Sequence, residues 1–121
     1  MEVRVKVWIE DDKSNLVFGG GKTEILEYIK ETGSIAEASQ QIGLSYKKAW
    51  SHIQVLEKYI EDSLVITQKG GGKQGGTKLT PKALEIIDNY KILQQDVREY
   101  TSQRFTELFE NSKTDILNLK N

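Results

Sequence analysis

The sequence predicts a mainly α fold with small β hairpins, and three stretches carry that expectation. Residues 34–60, SIAEASQQIGLSYKKAWSHIQVLEKYI, read as two helices joined by a tight turn. Residues 64–80 follow as two short strand-like runs around a glycine- and lysine-rich loop. From Thr80-Pro81 onward, about thirty residues pass without a glycine or another proline, the pattern of one long helix. Helix, turn, helix and basic hairpin in that order define a winged helix-turn-helix. The expected organisation is an N-terminal β-hairpin over residues 1–18, a DNA-binding domain over 19–80, and a long C-terminal dimerisation helix with a tail over 81–121.

At the N-terminus Val3, Val5, Val7 and Ile9 alternate with Arg4, Lys6 and Trp8, the period of a strand with one apolar face. Glu10 to Asn15 is polar and turn-like, and Leu16-Val17-Phe18 supplies a second strand, so residues 3–18 read as a hairpin. Such a hairpin is marginal alone and must pack on helices or on another chain. Trp8 sits on the polar face and suggests that this face meets something too. Gly19-Gly20-Gly21-Lys22-Thr23 has the flavour of a phosphate-binding loop, but the first glycine of that motif falls on Leu16. The stretch is therefore read as a joint leading into a helix over Lys22–Glu31. Ile25, Leu26 and Ile29 form the buried side of that helix, Tyr28 its margin, and Thr32-Gly33 its end.

Ser34 can cap the next helix, and Glu37 stands three residues on, as in a capping box. Ala36, Ala38 and Ser39 keep this helix thin enough for another to cross it. Gly43 can enter the left-handed conformation without steric cost and so turn the chain, with Leu44 to plug the corner. Ser45 offers a second N-cap, and Tyr46 opens the following helix. Ala49, Ile53, Leu56 and Ile60 recur at helical spacing and give it a buried stripe. Lys47, Lys48, Ser51, Gln54 and Lys58 fall mostly off that stripe, on a face suited to the major groove. An αα-corner of some other helical domain would use the same caps, so the hairpin that follows decides. Leu64–Gln68 and Thr77–Thr80 are its strands, and the loop between them carries lysine and glycine but no acid. Glycine permits close approach to DNA, and Lys69, Lys73 and Lys78 supply counter-charge to phosphates. The expected DNA-binding set is Ser34, Ser45, Tyr46, Lys47, Lys48, Ser51, Gln54, Lys69, Lys73 and Lys78.

Along the long helix Ile86, Tyr90, Leu93, Val97 and Tyr100 keep a heptad spacing, which marks them as a dimer seam. Arg104 and Glu107 break the seam, while Phe105, Leu108 and Phe109 continue its apolar character. At 1.5 Å per residue such a helix spans about 45 Å, longer than a small domain needs. Residues 111–121 read as a loose or short helical tail, with Ile116, Leu117 and Leu119 available for docking.

Composition narrows the function. The net charge is −1, yet no acid occurs between Leu64 and Leu84, and the acids gather towards the two ends. A basic middle with acidic ends fits one face for phosphate and others for water or a partner subunit. Cysteine is absent and His52 is the single histidine, so neither a thiolate or histidine metal cluster nor a Ser-His-Asp triad is expected. No catalytic residue, metal or cofactor is expected. No apolar run reaches membrane-spanning length and the N-terminus is not a signal peptide, so a cytoplasmic protein without membrane contact is expected. The expected partners are double-stranded DNA and a second copy of the chain. The alternative is a winged-helix module that binds protein, against which the basic wing argues.

The stretch GGGKTEILEYIKETGSIAEASQQIGLSYKKAW, followed by the glycine-lysine wing and LTPKA, resembles the N-terminal DNA-binding domain of the molybdate-responsive transcriptional regulators, the ModE family. The resemblance covers about Val3 to Tyr100 and implies a winged helix related to that of LysR-type regulators. It implies that Ser45, Tyr46, Lys47 and Lys48 begin the recognition helix and that Trp50 belongs to the core. It further suggests a repressor of molybdate or tungstate transport genes. Family members add strand-rich domains that bind the oxyanion. No stretch here resembles those domains, so no molybdate site is expected in this chain.

Overall fold

The punctuation of the sequence reappears as the boundaries of the elements. A computed structural model describes residues 1–68 and 76–111. The order is β1 (Ile9–Glu10), β2 (Leu16–Phe18), α1 (Gly21–Thr32), α2 (Ile35–Gln41), α3 (Tyr46–Ile60), β3 (Val65–Gln68), β4 (Gly76–Leu79) and α4 (Pro81–Phe105). A π-helical turn over Thr106–Glu110 continues from α4. Trp8–Asn89 form one compact unit, and Met1–Val7 with the chain from Tyr90 onward form another. Lys69, Lys73, most of the wing loop and the tail with Ile116, Leu117 and Leu119 lie outside the described residues.

In the larger unit α1, α2 and α3 pack on one another. Ile25, Leu26 and Ile29 of α1, Ile35 and Ala38 of α2, and Ala49, Ile53 and Leu56 of α3 are buried together with Phe18, Leu64, Ala83 and Ile87. Removing each large aliphatic side chain from water contributes about 1.5–3 kcal/mol. The expected stripes of α1 and α3 are thus the core, except that Ile60 is only half-buried where α3 ends.

The corners are made by caps. α1 stops at Gly33, whose φ of 70° is left-handed and whose N–H donates to the Ile29 carbonyl at 2.8 Å. The Ser34 hydroxyl accepts from the Glu37 N–H at 3.1 Å, one half of the expected capping box. The other half is made differently: the Ser34 N–H donates to Thr32 Oγ1 at 3.2 Å, so Thr32 stands where the Glu37 carboxylate was expected. The turn into α3 places Gly43 at φ 74°, with the Leu44 N–H donating to the Ser39 carbonyl at 2.9 Å. Ser45 then caps α3 by accepting from the Lys48 N–H at 3.2 Å.

The N-terminal hairpin is shorter than its alternation suggested. Ile9 pairs with Phe18 and Glu10 with Leu16 across an irregular register, and residues 3–8 have no strand partner among the described residues. Six consecutive alternating residues provide β propensity, but a ladder also needs a facing strand, and β2 is three residues long. The Asp11 carboxylate organises the loop, accepting from the backbone N–H groups of Lys13 and Asn15 at 2.9 Å each.

β3 and β4 pair antiparallel in an unbroken register, Val65 with Leu79 through Gln68 with Gly76. The edge of β4 is tied back to the helices, since the Thr77 N–H donates to the Gly33 carbonyl at 2.8 Å. The approach is close: a Cβ on Gly76 would lie 3.0 Å from that same carbonyl oxygen. At the base of the hairpin the Thr80 N–H donates to the Leu64 carbonyl at 3.0 Å. The buried Thr80 hydroxyl donates to the Ser63 carbonyl at 2.7 Å and accepts from the Ala83 N–H at 3.2 Å, so it caps α4 as well. The Leu64 N–H donates to Glu57 Oε2 at 2.8 Å, which joins the same base to α3.

In the smaller unit the Tyr90 hydroxyl donates to the Val7 carbonyl, which pins the N-terminal segment to α4. Arg104 and Glu107, the two residues that interrupt the heptad, pair with each other, and Gln103 also donates to Glu107. The Gln103 hydrogen bond first, and then that from Arg104, hold the Glu107 carboxyl below its ordinary range. Phe105 and Phe109 stack with ring centroids 5.4 Å apart.

Replacing Thr80 tests the node at the base of the hairpin. Thr80→Ala removes a cap and leaves the Ser63 carbonyl without its side-chain donor, and is expected to cost about 1–2 kcal/mol of unfolding free energy. Thr80→Ser, which keeps the hydroxyl, retains most of that stability. Urea titrations followed by circular dichroism check the order.

Candidate nucleic-acid interface

Two faces of α3 follow from one spacing. Ala49, Ile53, Leu56 and Ile60 advance by four, three and four residues along the buried side. Lys47, Ser51, Gln54 and Lys58 advance by the same steps two residues earlier, which places them about 160° away. All four are exposed. Lys48 is exposed too but belongs to a flank that continues through Val55 to Tyr59. Tyr46 opens the helix with 55% of its surface exposed. Trp50, which the resemblance placed in the core, is half-buried. It stands four residues from Tyr46 and from Gln54 and three from Lys47, on the other flank.

The remaining expected residues are spread around this helix. Ser34 and Ser45 hold their positions as caps of α2 and α3, with their hydroxyls engaged by backbone N–H groups. Lys78 is exposed on β4 opposite an exposed Ile66 on β3. Thr77, its neighbour, is buried, so the wing alternates as a strand should. On α1, Glu24, Glu27 and Glu31 line a groove beside Tyr28. Acids outnumber lysines on α1, which also carries Lys30, whereas α3 exposes Lys47, Lys48 and Lys58 and has Glu57 as its one acid.

The α3 flank carries a contact that sequence reading missed. The Tyr59 hydroxyl donates to Asp11 Oδ2 at 2.6 Å, across 48 positions of the chain. Nothing local announces this pair, because each residue reads as an ordinary exposed polar group. The Tyr59 hydroxyl first, and then the Asn15 N–H, lower the Asp11 carboxyl to about 2. The same hydrogen bond raises Tyr59. It fastens the β1–β2 loop to the C-terminal half of α3.

Along α4 the expected seam is uneven. Tyr90 is buried and hydrogen-bonded within its own chain, and Ile86 and Val97 are half-buried. Leu93 and Tyr100 are exposed by 41% and 62%, and Ile92, outside the heptad reading, by 57%, so the unburied apolar surface is centred on 92–100. Among the described residues no helix is long and apolar enough to cross a membrane.

A helix corner with a capped, lysine-bearing second helix and an attached hairpin defines a winged helix-turn-helix module. Residues 22–84 match the bacterial regulatory helix-turn-helix proteins of the lysR family, and the chain belongs to that family. Its relatives include proteins named for molybdenum and regulators named ModE, in line with the resemblance noted from the sequence. The chain is 36% identical over 82 residues to the molybdenum transport protein ModE of Herbaspirillum seropedicae, covering 68% of this chain and 30% of that protein. It is 31% identical over 91 residues to the molybdenum-pterin-binding protein MopB of Rhodobacter capsulatus, covering 75% and 34%. It is 34% identical over 74 residues to the DNA-binding transcriptional dual regulator ModE of Escherichia coli K12, covering 61% and 28%. The chain thus spans about a third of the length of these relatives. Its fold is shared with the DNA-binding domain in the crystal structure of a CbnR–DNA complex, at TM-score 0.53 and 18% identity over 71% of this chain and 94% of that one. It is shared likewise with full-length LysG of Corynebacterium glutamicum, at TM-score 0.53 and 20% identity over 73% and 30%.

The Asp11–Tyr59 bond makes an acid-pH prediction. A carboxyl lowered from 3.8 to about 2 contributes stability that is complete above 3.8 and disappears as pH falls towards 2. NMR titration of the Asp11 side chain is expected to show a midpoint near 2, which moves up in Tyr59→Phe. An unchanged midpoint in that variant would show that the tyrosine does not hold the loop.

Proposed function

We propose that this chain binds duplex DNA and regulates transcription, as a repressor of molybdate or tungstate transport genes. The observation that supports this best is the exposed stripe Lys47, Ser51, Gln54 and Lys58, set opposite the buried stripe of a capped helix. Lysine can donate to guanine O6 and N7, glutamine can bond adenine at N6 and N7, and serine can bond either type of edge. Tyr46 stands at the end of the helix that enters the groove first. Lys48, on the flank, suits a phosphate, as do Lys69, Lys73 and Lys78 of the wing. Ser34 and Ser45 place further N–H groups near the backbone of the duplex. The names of the relatives supply the molybdenum context. Binding is carried by the helix-turn-helix and wing, so it proceeds without molybdate, and adding molybdate leaves the affinity unchanged.

The active form is a homodimer on a two-fold site, joined along α4 by Leu93, Val97 and Tyr100 with Ile86 and Tyr90 at the start of the seam. Occupancy of the site blocks the polymerase. The acid-free stretch from Leu64 to Leu84 and the exposed apolar residues of α4 support this arrangement.

Titrations on specific and random duplexes at several salt concentrations separate the roles. Lys47→Ala is expected to weaken specific binding by about 1–3 kcal/mol and random binding less. Lys48→Ala weakens both alike and lowers the slope of log K against log salt by about one unit. Equal losses from Lys47→Ala on both duplexes would remove it from base reading. An interaction without salt dependence would instead mark a protein-binding module. For assembly, Leu93→Asp sets a charge in the seam and is expected to give a folded monomer by light scattering, and a persisting dimer would exclude this seam.

A further inference from the structure

We infer that Trp50 is a DNA-contacting residue, its indole N–H donating to a phosphate oxygen, rather than a core residue of α3. The inference rests on the proposed DNA binding and adds a contact to it. Three observations support it. Trp50 is half-buried, while its stripe neighbours Ala49 and Ile53 are fully enclosed. Its Nε1–H makes no hydrogen bond among the described residues, and it is not one of the buried side-chain atoms left without a partner. Its neighbours three and four positions away are Tyr46, Lys47 and Gln54, all exposed on the proposed DNA face, with Ile53 on the core side.

An indole has an apolar body and one donor. Such a side chain sits best at a boundary, with the ring against the core and the N–H in a polar medium. Tryptophan in the middle of a water-facing helix would otherwise waste that donor or leave ring surface wet. A duplex laid along Lys47 and Gln54 supplies both missing partners: a phosphate oxygen for the N–H and deoxyribose carbons for the exposed ring edge. A phosphate contact fixes register and carries no sequence preference of its own. Trp50 therefore acts on all sequences alike, beside residues that select among them.

The chain has two tryptophans, Trp8 and Trp50, so Trp8→Phe makes Trp50 the single reporter. Duplex DNA added to the full-length Trp8→Phe protein is expected to shift or quench the emission and to cut acrylamide quenching by about half or more, as a solvent-open ring becomes covered. In a second arm Trp50→Phe removes the N–H and keeps an aromatic ring. Its affinity is expected to fall about three- to tenfold on specific and random duplex alike, the loss of one hydrogen bond, with its thermal midpoint close to that of the parent. Unchanged Trp50 emission and quenching on a bound duplex overturn the inference and leave the DNA-binding reading intact. So does an unchanged affinity in Trp50→Phe, or a loss confined to the specific duplex. Failure of the parent protein to bind either duplex at low salt overturns the DNA-binding reading and this inference together.

Discussion

One backbone hydrogen bond holds the two halves of the module in register, that from the Thr77 N–H to the Gly33 carbonyl. Gly33 ends α1 in a left-handed conformation, which turns its carbonyl out of the helix and towards β4. Most residues pay about 1–2 kcal/mol to adopt that conformation, and glycine does not. On the other side Gly76 lets the strand approach to a distance that a methyl group would not fit without displacement. Two glycines 43 positions apart in the chain thus help to position the hairpin against the helix corner, beside the Leu64–Glu57 bond at its base.

The sequence made local decisions legible and long-range ones opaque. Ser34, Gly33, Gly43 and Ser45 act through atoms within a few positions of themselves, so their roles could be read from the order of residues. The buried stripes of α1 and α3 were legible for the same reason, since a helix converts spacing into direction. Thr32 was missed at the corner because Glu37 offered the better-known partner for the Ser34 N–H, and only the coordinates choose between two acceptors. The bond from Tyr59 to Asp11 and that from Tyr90 to Val7 span 48 and 83 positions. No pattern in the sequence records which hydroxyl meets which distant acceptor. The N-terminal alternation was read as a full strand because propensity says nothing about whether a partner strand is long enough. Trp50 was assigned to the core by analogy, and half-burial is not a property that residue type can reveal.

Lysine and glutamate are nearly balanced in number, so the molecule works by placement of charge rather than by its total. The carboxylates of α1 cluster beside Tyr28, and α3 carries its own stripe of exposed lysines. A net charge near zero limits indiscriminate attraction to polyanions, while a local lysine face keeps the attraction oriented. α4 follows a similar logic with apolar surface. Its first turns bury Ala83 and Ile87, and farther along Ile92, Leu93 and Tyr100 stay open.

The base of the wing is fastened independently of its tip. Leu64 is tied to Glu57, Thr80 to Ser63 and Leu64, and Thr77 to Gly33, all outside the seven residues that join Gln68 to Gly76. Closure entropy rises slowly with length, by about 0.6 kcal/mol for each doubling. Insertions, deletions and charge changes in that loop would therefore pass with little effect on the ladder beneath it. Length and charge of that segment and stability of the scaffold become separately heritable traits. A lineage could lengthen, shorten or recharge that segment while the hydrogen bonds that keep the module folded remain as they are.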